Sequence, residues 1–151
     1  MPNALNIMTR NVVIAEPCET IDKIYQTMKN KDIRHIPVCF KEKLIGIVSE
    51  SDILVKAYIS NECIHVPAIP ASAVMVEDVI TCSPGTTISE LAGIMIKHGI
   101  NCLPVTHNGK MVGIVTTSDL LDQFCMEIEL NGNRVMPLTF LQNERYRRKF
   151  R

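Results

Sequence analysis

The sequence predicts an α/β fold made of two copies of one β-α-β-β-α unit, burying a common face about a pseudo-two-fold axis. Three observations carry this. Residues 8–54 align without a gap on residues 75–121, an offset of 67, and 16 of the 47 pairs are identical. Within each copy, apolar residues recur at helical spacing in one stretch and as short β-branched runs in others. Turn and breaker residues fall at matching places in both copies. Two copies suggest a pair rather than an array, because a solenoid needs more repeats of a shorter period.

Each copy opens on a short β-branched run, Val12-Val13-Ile14 or Val79-Ile80-Thr81, predicted to be a strand and broken by Pro17 or Pro84. A helix follows. Ile21, Ile24, Tyr25 and Met28 stand at i, i+3, i+4 and i+7, as do Ile88, Leu91, Ala92 and Met95. Thr20 and Thr87 are candidate N-caps, and Thr87-x-x-Glu90 has the capping-box pattern. Gly99 suits the position just past the second of these helices.

Two strands come next. Ile36-Pro37-Val38 leads through Lys41-Glu42-Lys43 to Leu44–Val48, and Leu103-Pro104-Val105 leads through Asn108-Gly109 to Met111–Val115. Asn-Gly between apolar runs is a hairpin signal. Pro37 and Pro104 lack an N–H, which places them at a strand start or edge. A last helix then begins near Ser49 or Thr116. Its apolar positions are Ile53, Leu54, Ala57 and Tyr58 in the first copy, and Leu120, Leu121, Phe124, Cys125 and Ile128 in the second. The expected organisation is a first unit at 7–62, a linker at 63–74, a second unit at 75–130 and a basic tail at 131–151. Part of that tail, 134–151, is expected to form a short exposed helix.

The chain has 151 residues, 46% hydrophobic and 21% charged, an ordinary globular mix. A domain of this size buries roughly 68–70% of the surface its unfolded chain exposes, so it needs no disulfide or metal staple. The net charge of zero is the sum of a body at −5 (residues 1–133) and a tail at +5 (residues 134–151). A neutral total argues against a general nucleic-acid or membrane-surface binder. The tail run Arg145–Arg151 mixes basic and aromatic residues. It could contact nucleic acid or an anionic membrane, dock on the acidic body of a neighbouring subunit, or remain a solvated chain end. The longest uncharged stretch, 63–76, is 14 residues with two prolines, too short to span a membrane. The first residues, Met1-Pro2-Asn3-Ala4, lack the basic and apolar regions of a signal peptide. Six cysteines with no CxxC or paired Cys/His spacing read as free buried thiols in a reducing cytoplasm, and no metal site is expected. His65, His98 and His107 read as surface histidines. No P-loop, GxGxxG or GxSxG is present, and no catalytic residue is assigned.

The segment with chemistry in it is Gly46-Ile47-Val48-Ser49-Glu50-Ser51-Asp52, matched by Gly113-Ile114-Val115-Thr116-Thr117-Ser118-Asp119. Both read G-h-h-[ST]-x-x-D after a buried strand. One reading is a helix cap, with Ser49 or Thr116 accepting from a first-turn N–H, worth about 1 kcal/mol per helix. The other is a ligand site, because an Asp at a strand-to-helix junction can accept from both hydroxyls of a ribose. Its occurrence twice, in register, behind an Ile/Leu-Pro-Val strand favours the second.

These residues, with Met8/Met75, Pro17/Pro84 and the Ile36-Pro37-Val38 and Leu103-Pro104-Val105 strands, resemble a tandem pair of cystathionine-β-synthase (CBS) domains, together called a Bateman module. The resemblance covers about residues 7–130. It implies two units packed sheet to sheet, with two clefts related by a pseudo-two-fold. It also implies a regulatory sensor rather than an enzyme, binding AMP, ADP, ATP or S-adenosylmethionine, and sometimes NAD or cyclic dinucleotides. Homodimers are usual in the family, and output would pass through the dimer or a protein effector. Carried over by position, Asp52 and Asp119 would hold ribose hydroxyls, and Ser49 and Thr116 would contact ribose or phosphate. His35-Ile36, Cys102-Leu103 and the prolines Pro37 and Pro104 would line the adenine slot, completed by Ile14 and Thr81. The copies differ at Arg34-His35 against Asn101-Cys102. The cleft using Arg34 is therefore expected to be the stronger phosphate site, and the other to favour a less charged ligand or stay empty.

Overall fold

The structure is a computed structural model that describes residues 1–130, apart from the Glu129 side chain. The tail at 131–151, with the helix expected in it, lies outside the described residues. In chain order the elements are α1 (Ala4–Ile7), α2 (Ile21–Lys31), β1 (His35–Phe40), β2 (Lys43–Ser49), α3 (Glu50–Leu54), β3 (Tyr58–Ser60) and β4 (Cys63–His65). A 3-10 turn at Ala71–Ala73 precedes α4 (Ile88–His98), β5 (Cys102–His107), β6 (Lys110–Thr116) and α5 (Thr117–Leu130). The two-copy α/β architecture is present. β1 pairs antiparallel with β2, and β5 with β6, in matching register with a bulge at the same place: between Val38 and Cys39, and between Val105 and Thr106.

Each copy has its own core. In the first, Ile21, Ile24 and Met28 of α2 bury against Ile36, Val38 and Val48 of the sheet and Ile53 of α3. In the second, Leu91 and Met95 of α4 bury against Leu103, Val105 and Val115. Each such side chain, fully buried, contributes about 1.5–3 kcal/mol.

The helix ends show how the copies solve one problem differently. Thr87 and Glu90 form the expected capping box, with the Thr87 amide to Glu90 Oε2 at 2.9 Å and the Glu90 amide to Thr87 Oγ1 at 3.3 Å. The Thr87 amide and hydroxyl, both donating to Oε2, hold the Glu90 carboxyl below the usual range. Thr20, an equally good candidate in sequence, makes no side-chain cap. Instead the linker crosses this helix end, and the Ile69 carbonyl accepts the Ile21 amide at 2.8 Å. At the C-termini, Gly99 has φ +62, whereas its counterpart Asp32 reaches φ +51 as a non-glycine residue.

Three expectations need correction. The opening strands at 12–14 and 79–81 do not form; each reduces to a single parallel bridge, Ala15 to Val38 and Cys82 to Val105. The cause lies in the facing prolines. Ala15 donates to the Pro37 carbonyl at 2.9 Å, and its own carbonyl accepts from Cys39 at 2.9 Å. The next rung would need an N–H from residue 37, and proline has none. Pro104 stops the other copy in the same way, and the Val12 and Val79 amides turn instead to the carbonyls of Arg10 and Glu77. Both prolines lie inside their strands rather than at the start, and those strands are edges of two-stranded sheets, the other position expected for them. Next, the first copy's last helix ends at Leu54 instead of reaching Tyr58, which belongs to a small exposed β3–β4 hairpin that straddles the expected boundary between the first unit and the linker. Finally, the cysteines are all free but not all buried: Cys39, Cys82 and Cys102 are buried, Cys125 is half-buried, and Cys18 and Cys63 are exposed.

The segments that precede the repeats are exchanged. α1 docks on the second copy, with the Ala4 amide to Thr86 O at 2.8 Å and the Leu5 amide to Pro84 O at 3.0 Å. Sixty-seven residues on, Ala71 donates to Glu19 O at 2.7 Å and Ser72 to Pro17 O at 3.0 Å, on the first copy. The exchange continues into the sheets. Thr9 bridges Ile114 of β6, and Val76 bridges Ile47 of β2, each antiparallel. The motif glycines make room for this. A Cβ on Gly113 would lie 2.5 Å from Met8 Sδ, and one on Gly46 would lie 2.8 Å from Met75 Cγ.

Candidate functional site

Ser49 ends β2 and Thr116 ends β6, so both motifs fall where a strand passes directly into a helix. At the first junction, Asp52 Oδ2 accepts the Ser49 amide at 2.9 Å and Ser49 Oγ accepts the Asp52 amide at 3.1 Å. At the second, Asp119 Oδ2 accepts the Thr116 amide at 2.7 Å and the Thr116 hydroxyl at 3.1 Å. The expected cap, a hydroxyl accepting a first-turn amide, is present at Ser49, whereas the Thr116 hydroxyl donates to Asp119 instead. Asp52 is half-buried, while Asp119 is only 5% exposed.

The strand register brings the residues before the prolines to the same places. His35 stands opposite Ser49, and Cys102 opposite Thr116. The carbonyls one residue earlier close each junction: Arg34 O accepts the Glu50 amide at 2.8 Å, and Asn101 O accepts the Thr117 amide at 3.0 Å. Each copy thus gathers the motif Ser/Thr, the motif Asp and the 34–35 or 101–102 pair into one constellation.

Other candidate residues are placed differently. The side chains of Ile36 and Leu103 are 1% and 0% exposed, inside the cores, and Pro37 and Pro104 are buried too. What these four can offer a ligand is backbone. Ile14 and Thr81 are exposed, just before the bridging residues Ala15 and Cys82. Arg34 is exposed and makes no ion pair among the described residues.

The electrostatics differ between the copies. Burial holds the half-buried His35 below its ordinary pKa; the Asp52 carboxylate works against this and the Arg34 charge reinforces it. Burial pushes the Cys102 thiol up to about 12, with the Asp119 charge adding to the effect. The Cys82 thiol rises to about 11 for the same first reason. Two features near the first site are not signalled by the sequence motifs. Lys29 pairs with Glu50 at 3.4 Å, and it also lies 5.1 Å from the Tyr25 ring. Lys29 comes from α2, far along the chain, so only its helix-end position hints at this. Among the described residues there is no cluster of three or more metal-ligating side chains, and no helix long and apolar enough to cross a membrane. A shallow depression lies elsewhere, along α4 between Glu90 and Lys97.

Two α/β copies, exchanged leading segments and a repeated strand-to-helix Ser/Thr–Asp pair define a tandem two-domain architecture. A model of the CBS domain matches residues 4–58 and again 71–125, so the chain belongs to the CBS domain family. Its segments begin at α1 and at the 3-10 turn, 67 residues apart, where the structure begins the exchange. Among solved structures, a protein of Vibrio cholerae described as a putative acetoin utilization protein (AcuB) is 33% identical, with a TM-score of 0.74 over 91% of this chain and 99% of that one. The CBS domain pair of protein MJ0100, solved in complex with 5′-methylthioadenosine and S-adenosyl-L-methionine, is 25% identical, with a TM-score of 0.73 over 84% and 98%. The uncharacterized protein MJ1225 of Methanocaldococcus jannaschii is 29% identical over 127 residues, covering 78% of this chain and 45% of that protein. A homoserine O-acetyltransferase of Methanococcus vannielii shares 34% identity over 117 residues, which is 23% of its length. The chain thus spans less than half of these two relatives.

Proposed function

We propose that this chain is a regulatory module that binds an adenosine-containing ligand (AMP, ADP, ATP or S-adenosylmethionine) in clefts between its CBS copies. The observation that carries the reading is the paired constellation. Ser49–Asp52 beside His35, and Thr116–Asp119 beside Cys102, repeat at matching strand-to-helix junctions. A carboxylate there can accept from both ribose hydroxyls, and neighbouring backbone and apolar walls suit an adenine ring. The likeness to the MJ0100 pair, solved with two adenosyl ligands, supports this class. So does the 27% likeness to the structure of MJ1225, described as a putative archaeal homolog of γ-AMPK. Occupancy is read out through a homodimer or a protein effector rather than by catalysis. An apolar stripe on α5 (Leu121, Phe124 and Ile128) is exposed and supports subunit association.

A second reading is favoured by one observation. The capping bonds hold both motifs together without any ligand, as a structural or protein-interaction module would need. A thermal-shift panel of AMP, ADP, ATP, S-adenosylmethionine, NAD and cyclic dinucleotides separates the two. A ligand at 100 times its Kd adds about 2.7 kcal/mol and raises Tm. Loss of that rise in Asp52→Ala or Asp119→Ala supports the sensor; no rise with any ligand in the parent chain supports the structural module.

A further inference from the structure

We infer that the paired tips of the β1–β2 and β5–β6 hairpins form a docking surface for an acidic peptide segment of a protein effector, one with an apolar side chain flanked by carboxylates. This rests on the effector half of the proposed function and names the partner's chemistry. The surface lies away from the Ser49 and Thr116 junctions. Those residues end β2 and β6, whereas the tips stand where the same strands begin. A seven-residue strand puts about 20 Å between its ends.

The two tips present the same pair of groups. Phe40 stands opposite Lys43 and His107 opposite Lys110, so each hairpin sets a ring and a lysine on one face at its end. All four residues are exposed, Phe40 at 55%. The tips also meet, with Glu42 Oε2 lying 3.4 Å from Lys110 Nζ. The Lys41 ammonium lies 5.4 Å from the centre of the Phe40 ring. Both contacts come from the turn residues held at positive φ, Lys41 at +49 and Glu42 at +66. The second tip meets the same backbone demand with Asn108 and Gly109. The first keeps two residues that cost more there, and strain of this kind gathers at functional sites.

Charge selects the occupant. Residues 1–130 hold ten basic side chains and fifteen acidic ones. Three of the ten, Lys41, Lys43 and Lys110, stand on these tips beside one acid, Glu42. The tips are a positive end on a negative body, which steers a short anionic segment onto them. A long polyanion would also meet the acidic body and Glu42 itself. The cations are lysines, point charges that suit separate carboxylates, and neither turn carries an arginine fork for phosphate. Phe40 points the same way. Lys41 covers one face of its ring, which hinders stacking on a base, while the rest of the ring stays open to an apolar side chain.

Fluorescence anisotropy of the full chain with a labelled Glu-Glu-Phe-Glu-Glu peptide, without nucleotide, tests this. The expected result is saturable binding that weakens at least about fivefold in Lys43→Glu and in Phe40→Ser. Both substitutions are at exposed positions, and their Tm should stay near that of the parent. A peptide with serine in place of phenylalanine, and an oligothymidylate, should both bind less tightly. No saturable binding of the phenylalanine peptide overturns the proposal and leaves the lysines as guards of strand edges. Binding that survives both substitutions overturns it too, by assigning the peptide to the basic tail. Tighter binding of the oligothymidylate overturns it in favour of nucleic acid. Each of these failures leaves the adenosyl-binding reading to the thermal-shift panel, which tests it separately.

Discussion

Met75 lies over Gly46 so closely that any side chain at 46 would strike it, and Met8 stands over Gly113 in the same way. Each glycine belongs to one copy and each methionine leads the other. The glycine of the G-h-h-[ST]-x-x-D motif thus serves the packing between repeats and not a turn. Gly113→Ala should cost about 1–3 kcal/mol by overpacking. Met8→Ala in the same chain should recover part of that cost, since the two residues share one space. Urea titrations of the four chains of this cycle check it; strict additivity would refute the shared space.

The β1–β2 turn holds Lys41 at φ +49 and Glu42 at φ +66, while its counterpart uses Asn108 at +50 and Gly109 at +75. Left-handed conformations cost a non-glycine residue about 1–2 kcal/mol. Transplanting Asn-Gly into the first turn, Lys41→Asn with Glu42→Gly, should raise stability by about 1 kcal/mol in denaturant melts. The substitution also removes the exposed Glu42–Lys110 ion pair, which is worth little.

His35 gives stability a pH dependence with a definite sign. Its folded pKa lies below the ordinary 6.5 because burial disfavours the charged ring. Between those two values the unfolded chain binds more protons, so stability rises with pH through that window and is lost on acidification below about 6.5. His35→Asn should flatten that part of a Tm-against-pH curve. A parent curve that is flat between pH 5 and 7 would contradict the assignment.

The thiols should divide by environment. Cys18 and Cys63 are exposed and should alkylate in the folded protein. Cys82 and Cys102, with pKa values raised to about 11 and about 12, should react only after unfolding. Peptide mapping after a short iodoacetamide pulse reads this directly, and early labelling of Cys102 would contradict its burial.

Phe124 is 60% exposed on the α5 stripe with Leu121 and Ile128. If that face joins two chains, Phe124→Asp should convert a dimer to a monomer in sedimentation velocity. A parent chain that sediments as a monomer would remove the homodimer from the proposal.

Much of the fold is legible in the sequence because the repeat supplies two readings of each element. Helices α2 and α4 follow their i, i+3, i+4 spacing, and Thr87–Glu90 caps as its pattern predicts. The opening strands are not legible, because β-branched runs such as Val12–Ile14 report propensity, while pairing depends on the partner. Pro37 and Pro104 are visible, yet their effect on a segment more than twenty residues away needs the register. Thr20 makes no side-chain cap, and the Ile69 carbonyl takes the Ile21 amide, a tertiary contact that no local pattern encodes. In the site, the Ser/Thr–Asp pairs are readable from the motif alone. The Lys29–Glu50 pair is not, and neither is the burial of Ile36 and Leu103, which turns two expected wall residues into core.

The exchanged leading segments separate the unit of sequence from the unit of folding. The first core is completed by Ala71, and the second by Ala4. A ribosome that has released only the first copy has therefore made a hydrophobic core with a gap in it. It has also made a helix, α1, whose docking site does not yet exist. The first core can close only once residues through Val76 have emerged, and α1 must wait for Pro84 and Thr86; the hydrogen bonds that dock the two leading segments span some fifty to eighty residues of chain. Such distant closures slow folding and couple the halves into one transition. Splitting the gene between the repeats should yield two fragments that fold only when mixed.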